Sequence, residues 1–87
     1  MFITSPYISV DLPEHAIERA AERLGMSEHE VVDFWREVVR SRQDELAEIE
    51  VGTGGRIIEG TASWAVARHS DFGARVMTVV TKKVRRR

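Results

Sequence analysis

Gly52-Thr53-Gly54-Gly55-Arg56-Ile57-Ile58-Glu59-Gly60 is the stretch at which this chain changes character. Three glycines within four residues break a helix arriving from the N-terminal side, and the β-branched pair Ile57-Ile58 opens extended structure. Upstream, apolar residues recur at helical spacing; downstream they alternate. Helices and strands are therefore segregated along the chain. That segregation predicts an α+β domain in which two helices, within residues 13–50, pack on a three- to four-stranded antiparallel sheet.

Working outward, Arg56–Glu59 is a short strand ending at Gly60. Ala62–His69 is a second, with Trp64 and Val66 on one face and Ala65 and Ala67 on the other. Ser70-Asp71-Phe72-Gly73 is a turn, and Arg75–Lys82 is the strongest strand signal, so antiparallel strands fill residues 55–82. The basic tail Lys83–Arg87 is expected to fray. Upstream, Ser27 and Glu30 form a capping-box pattern, and Val31, Val32, Phe34, Trp35, Val38 and Val39 follow as a broad apolar face. Beyond Arg40 only Leu46 and Ile49 keep the stripe, so that half is expected to be more exposed. A preceding helix carries Ile17, Ala20, Ala21 and Leu24 at i, i+3, i+4 and i+7, with Asp11 near its N-cap, Pro13 in its first turn and Gly25 as its stop. Residues 2–10 are rich in β-formers, but Pro6 interrupts them, which predicts a single edge strand or extended arm. The large apolar surfaces predict a core of Trp35, Val38 and Val39 against Trp64, Val66 and the last strand.

At 87 residues the chain has room for one domain, residues 1–87, burying roughly 60–65% of its unfolded surface. With 43% hydrophobic and 31% charged residues its composition is globular. The absence of cysteine excludes disulfides, thiolate chemistry and cysteine zinc sites. No apolar run approaches the ~20 residues that span a bilayer, and the start lacks a basic signal-peptide region, so the expectation is a cytoplasmic protein with no membrane partner. The net charge of −1 hides a division. Residues 14–50 carry eleven acids against five arginines, a net of −6, whereas residues 51–87 carry two acids against eight bases, a net of +6. A polyanion such as RNA would meet the second half, and a protein partner the acidic helices.

Ala21, Gly25 and Val31 stand at the +4 and +6 spacings of a helix-turn-helix, which makes DNA binding a third alternative. The helix that would enter DNA opens Glu28-His29-Glu30, however, and those carboxylates oppose phosphate binding. His15, Arg19 and Arg23 lie at i, i+4 and i+8 along one helix edge. An imidazole beside two guanidiniums is a catalytic arrangement for phosphodiesters, the arginines holding phosphate and the histidine moving a proton. Arg75, Arg68 and His69 from the sheet are candidate substrate-binding residues for the same place. The plain alternative pairs Arg19 and Arg23 with nearby glutamates on a solvated face. Gly52-Thr53-Gly54-Gly55 lacks the ending of a phosphate loop, and His15, His29 and His69 have no metal-ligand spacing, so neither cofactor nor metal is expected.

The run Glu14-His15-Ala16-Ile17-Glu18-Arg19 through Glu22-Arg23-Leu24-Gly25 and on to Val31 resembles the opening helix of a family of small bacterial and phage proteins. Gly55-Arg56 and Met77-Thr78-Val79-Val80 match that family's later strands. The family is similar in layout to the RelE- and BrnT-type ribonuclease toxins, which set two N-terminal helices on an antiparallel sheet. The resemblance implies metal-independent RNA cleavage with His15, Arg19 and Arg23 as catalytic residues, and an antitoxin as protein partner. The tyrosine or histidine that many such toxins carry near the C-terminus is missing here. The alternative from a different class is a non-enzymatic protein-interaction module that uses its acidic helices.

Overall fold

In the computed structural model, which describes residues 1–81, the chain runs β1 (Phe2–Thr4), β2 (Ser9–Asp11), α1 (Glu14–Leu24), α2 (Glu28–Ser41), α3 (Gln43–Ala47), β3 (Gly54–Glu59), β4 (Ala62–Ser70) and β5 (Gly73–Thr81). The class is α+β, with helices and strands divided at the glycine run. Lys82, the expected end of the last strand, and the basic tail Lys83–Arg87 lie outside the described residues.

The sheet corrects the expected antiparallel arrangement of three to four strands. Among the described residues it has five strands in the order β1-β2-β5-β4-β3, and it is mixed because β2 runs parallel to β5. The difference begins at Pro6. Instead of interrupting one strand, it occupies a tight turn between two. The Ser5 hydroxyl accepts from the backbone N–H of Ile8 at 3.1 Å and donates to the Ile8 carbonyl at 2.8 Å, and a turn places proline's missing N–H where no ladder needs it. The resulting hairpin pairs Ile3 with Val10 and docks β2 on the last strand through Ser9↔Gly73, Val10↔Ala74 and Asp11↔Arg75.

The strand β4 alternates as its sequence requires, turning Ala62, Trp64, Val66 and Arg68 toward the helices and leaving Ser63, Ala65 and Ala67 half-buried on the opposite face. Opposite it, Val66 pairs with Val76 and Ala65 with Thr78, so Met77 is the extra residue of a bulge. The bulge lets Val76 and Val79, three residues apart, both reach the core.

The helices also differ in detail. Gly25 ends α1 in the left-handed region at φ 68°, and Ser27 and Glu30 make the full capping box at the start of α2. The N-cap of α1, however, is Pro13, with Asp11 drawn into β2. Ala16 and Ala20 are the buried residues of α1, while Ala21 is exposed. The second helix stops at Ser41, and Arg42 at φ −125° breaks it from a third, short helix. Residues beyond Arg40 are mostly exposed, while Leu46, which keeps the stripe, is fully buried.

The core meets at three rings. Trp35 of α2 and Trp64 of β4 are both buried and contact edge to face at 5.5 Å, and Phe34 stacks on Trp64 at 5.3 Å. Such pairs add to the burial of their area. Trp35→Ala is expected to cost about 3–5 kcal/mol and to lower the melting temperature by about 15 °C or more, read by thermal denaturation. Trp35→Phe should cost markedly less, because Trp35 Nε1 is buried with no acceptor and its removal strands no partner.

Candidate functional site

Beyond Arg75 the side of β5 that faces away from β4 has no strand among the described residues, since β2 covers only Gly73–Arg75. A bare strand edge presents unpaired carbonyls. Helix α1 packs chiefly on β5, and it supplies the missing partners. His15 Nε2 is 2.9 Å from the Met77 carbonyl oxygen, and the Arg23 guanidinium donates to the Val79 carbonyl at 2.9 Å. Arg19, between them in sequence, pairs with Glu22 at 3.0 Å on the exposed side of the helix. The His15, Arg19 and Arg23 alignment thus places two of its members on one strand edge, each on a backbone carbonyl, and the third on a neighbouring carboxylate.

The sheet candidates are dispersed. Arg75 pairs with Asp11 across the parallel β2–β5 contact at 3.0 Å. His69 is exposed at the β4–β5 turn, where its ring lies so close to Gly73 that a Cβ there would collide with it. Arg68 is 6% exposed on the helix-facing side of the sheet, the wrong face and depth for a phosphate. Its guanidinium donates to four carbonyls, those of Leu46 at 2.8 Å, Ile49 at 3.1 Å, Ser70 at 3.2 Å and Asp71 at 2.9 Å. It ties the end of α3 to the β4–β5 turn. Among the described residues no hydrogen bond or ion pair joins any of these three side chains to His15, Arg19 or Arg23.

Five of the eleven acids in residues 14–50, Glu22, Glu30, Asp33, Glu37 and Glu45, are engaged by nearby groups. Glu37 receives two bonds from Arg40 and one from Ser41, which hold its carboxyl below the usual carboxylate range. Glu45 is lowered in the same direction by its bonds from Arg42, which also reaches Glu59 and the Ile58 carbonyl of β3. Among the described residues no three His, Asp or Glu side chains converge to hold a metal ion, and no helix is long and apolar enough to cross a membrane.

A groove of about 650 Å³ lies elsewhere, between the N-terminal hairpin and α2. Phe2, Thr4 and Tyr7 line one side, with the rings of Phe2 and Tyr7 mostly exposed. Val32, Arg36, Val39 and Arg40 line the other, a stripe at i, i+4, i+7 and i+8 of one helix. Gln43 closes the end, and its side-chain oxygen is buried with no donor. No acid lines the groove. Arg40 is shared with Glu37, whereas Arg36 has no carboxylate within ion-pair distance among the described residues. None of the motifs in the sequence points to this site. Its available signal was the pair Arg36 and Arg40 beside Val32 and Val39, but the opposite wall comes from a hairpin that Pro6 concealed.

No protein-family model matches the chain, and no curated protein or solved structure is significantly similar to it.

Arg68→Met removes the donor for four carbonyls at once. With each stranded buried acceptor costing ~1–3 kcal/mol and some relaxing into water, a loss of about 3 kcal/mol is expected in denaturant titration. Arg68→Lys should recover only part of it, because an ammonium lacks the planar fork that spans these acceptors.

Proposed function

We propose that this chain is a non-enzymatic interaction module that binds another protein, and that the groove between β1 and α2 is where it does so. The observation that carries this is the groove itself, an open apolar trough with exposed aromatic rings on one wall and arginines on the other. Exposed apolar surface with charged neighbours marks interaction sites, and aromatic residues and arginine dominate the energetics of protein interfaces. The acidic helices, the expected contact surface, carry no exposed large apolar side chain among the described residues, whereas the groove carries Phe2 and Tyr7, which makes it the richer surface.

Toxin-type RNA cleavage by a RelE- or BrnT-like chain would need Arg19 and Arg23 turned together onto a phosphate beside His15. The imidazole sits instead on the Met77 carbonyl, Arg23 on that of Val79, and Arg19 on Glu22. These bonds support a positioning role for α1 along β5. Fold layout alone carries no activity.

The test is inducible expression of the wild-type chain and His15→Ala, read as growth and RNA integrity. It is combined with a photo-crosslinking residue placed at Tyr7 or, as a control, at Thr78 on the opposite sheet face. The expected outcome is intact RNA and equal growth for both chains, with a discrete protein adduct from position 7 and none from position 78. His15→Ala should lower the melting temperature by about 4–8 °C, the effect of losing a bond worth ~1 kcal/mol. RNA degradation that depends on His15 would restore the ribonuclease and overturn the interaction module.

A further inference from the structure

The groove has a backbone wall as well as side-chain walls. Among the described residues β1 is the outermost strand on its side of the sheet, so one of its edges faces no other strand. Which of its groups point outward follows from the hairpin. The Leu12 N–H donates to the Met1 carbonyl at 2.7 Å, and the Ser5 N–H donates to that of Ile8 at 3.2 Å. Residues 1 and 5 therefore direct their backbone groups toward β2, and in an antiparallel ladder residue 3 does the same. Phe2 and Thr4 direct theirs the other way. Among the described residues, none of these four groups has a hydrogen-bond partner. Two N–H and two C=O groups thus stand along the groove whose far wall is α2. A strand edge beside a helix is the geometry in which extended peptides add to a sheet, backbone bonds supplying affinity and alternate side chains specificity.

We propose that this groove accepts an extended, acidic and apolar segment of a partner protein as a sixth strand beside β1. This rests on the protein-binding function proposed above and names its mode and the partner's chemistry. Every second side chain of the incoming strand faces α2, and those that lie against Val32 and Val39 are aliphatic. Carboxylates at the facing positions between and beyond them meet Arg36, which has no carboxylate within ion-pair distance among the described residues, and Arg40, which exchanges part of its contact with Glu37. Gln43 Oε1, a buried acceptor lacking a donor, takes an N–H at the end of the groove. Charge excludes the chain's own Lys82–Arg87 tail, whose five bases and single valine are wrong for a groove lined by two arginines and no acid. A second copy paired edge to edge through β1 would bring two α2 arginine rows face to face, which is unfavourable for the same reason.

The experiment titrates the ¹⁵N-labelled chain with the peptide acetyl-Val-Thr-Glu-Thr-Val-Thr-Asp-amide, whose alternate positions carry both aliphatic and acidic groups on one face, a lysine-for-acid counterpart, and two versions N-methylated at alternate amides in opposite phases. The acidic peptide should bind at sub-millimolar concentration, shift the Phe2 and Thr4 amides and slow their hydrogen exchange. The lysine peptide should not bind, and Arg36→Glu, at an exposed position that leaves the fold intact, should weaken binding at least tenfold. One N-methylation phase should abolish binding while the other is tolerated, because only every second amide of an added strand faces β1. Absence of saturable binding up to millimolar peptide, equal binding of the lysine peptide, or indifference to both methylation phases would each overturn strand addition. A position-7 crosslink that persists alongside any of these would leave the interaction module standing and remove only this mode of binding.

Discussion

The parallel contact of Ser9–Asp11 with Gly73–Arg75 is only three residues long, and most outer features of the molecule follow from its shortness. It secures the N-terminal hairpin to the last strand and so places β1 at the edge of the sheet. Because it stops at Arg75, it also leaves the rest of β5 without a strand on that side. That vacancy is taken by α1, whose His15 and Arg23 supply side-chain partners to carbonyls that a longer strand would have bonded. The groove at one edge and the helix-covered strand beside it are two outcomes of one pairing.

The same device recurs wherever regular structure fails. Arg42 breaks the long helix and sends its guanidinium to Ile58 and Glu59 on β3, and Arg68 collects carbonyls from the end of α3 and from the β4–β5 turn. Arginine suits this work because its planar fork reaches several acceptors from one position and stays charged even when buried. Charge counting therefore misleads in a chain like this one. In the basic half Arg68 is buried on backbone carbonyls and Arg75 is paired with Asp11, so charge counted along the sequence does not translate into an equally basic surface.

What could be read from the sequence was local. The glycine run at 52–55 divides helix from strand, Ser27 and Glu30 cap a helix, and alternation along β4 assigns Trp64 and Val66 to the core, because each signal is complete within a few neighbours. The parallel β2–β5 pairing is not local, and Pro6 reads equally as an interruption or as a turn until the Ser5–Ile8 bonds are seen. The i, i+4, i+8 alignment of His15, Arg19 and Arg23 was visible as a row, but a row of residues does not reveal what stands opposite it. Here it is strand carbonyls. Arg36 and Arg40 are the converse case, an ordinary helical pair until a hairpin distant in three dimensions from any sequence signal becomes their facing wall.

The contact between Asp11 and Arg75 spans 64 positions of the chain, and that separation bears on how the molecule is assembled. The β3–β4–β5 meander closes through turns of a few residues, whereas joining β2 to β5 closes a loop about four doublings longer. At about 0.6 kcal/mol for each doubling, that is an additional entropic cost of roughly 2–3 kcal/mol, set against three residues of pairing. The meander with its packed helices can thus form before the hairpin docks, and the hairpin is the first element to leave when stability falls. During synthesis the order is inverted, since the hairpin emerges first and its dock is made last. Until β5 is complete, Ile3, Ile8 and Val10 have no permanent neighbours, and this end of the molecule stays unfinished longest.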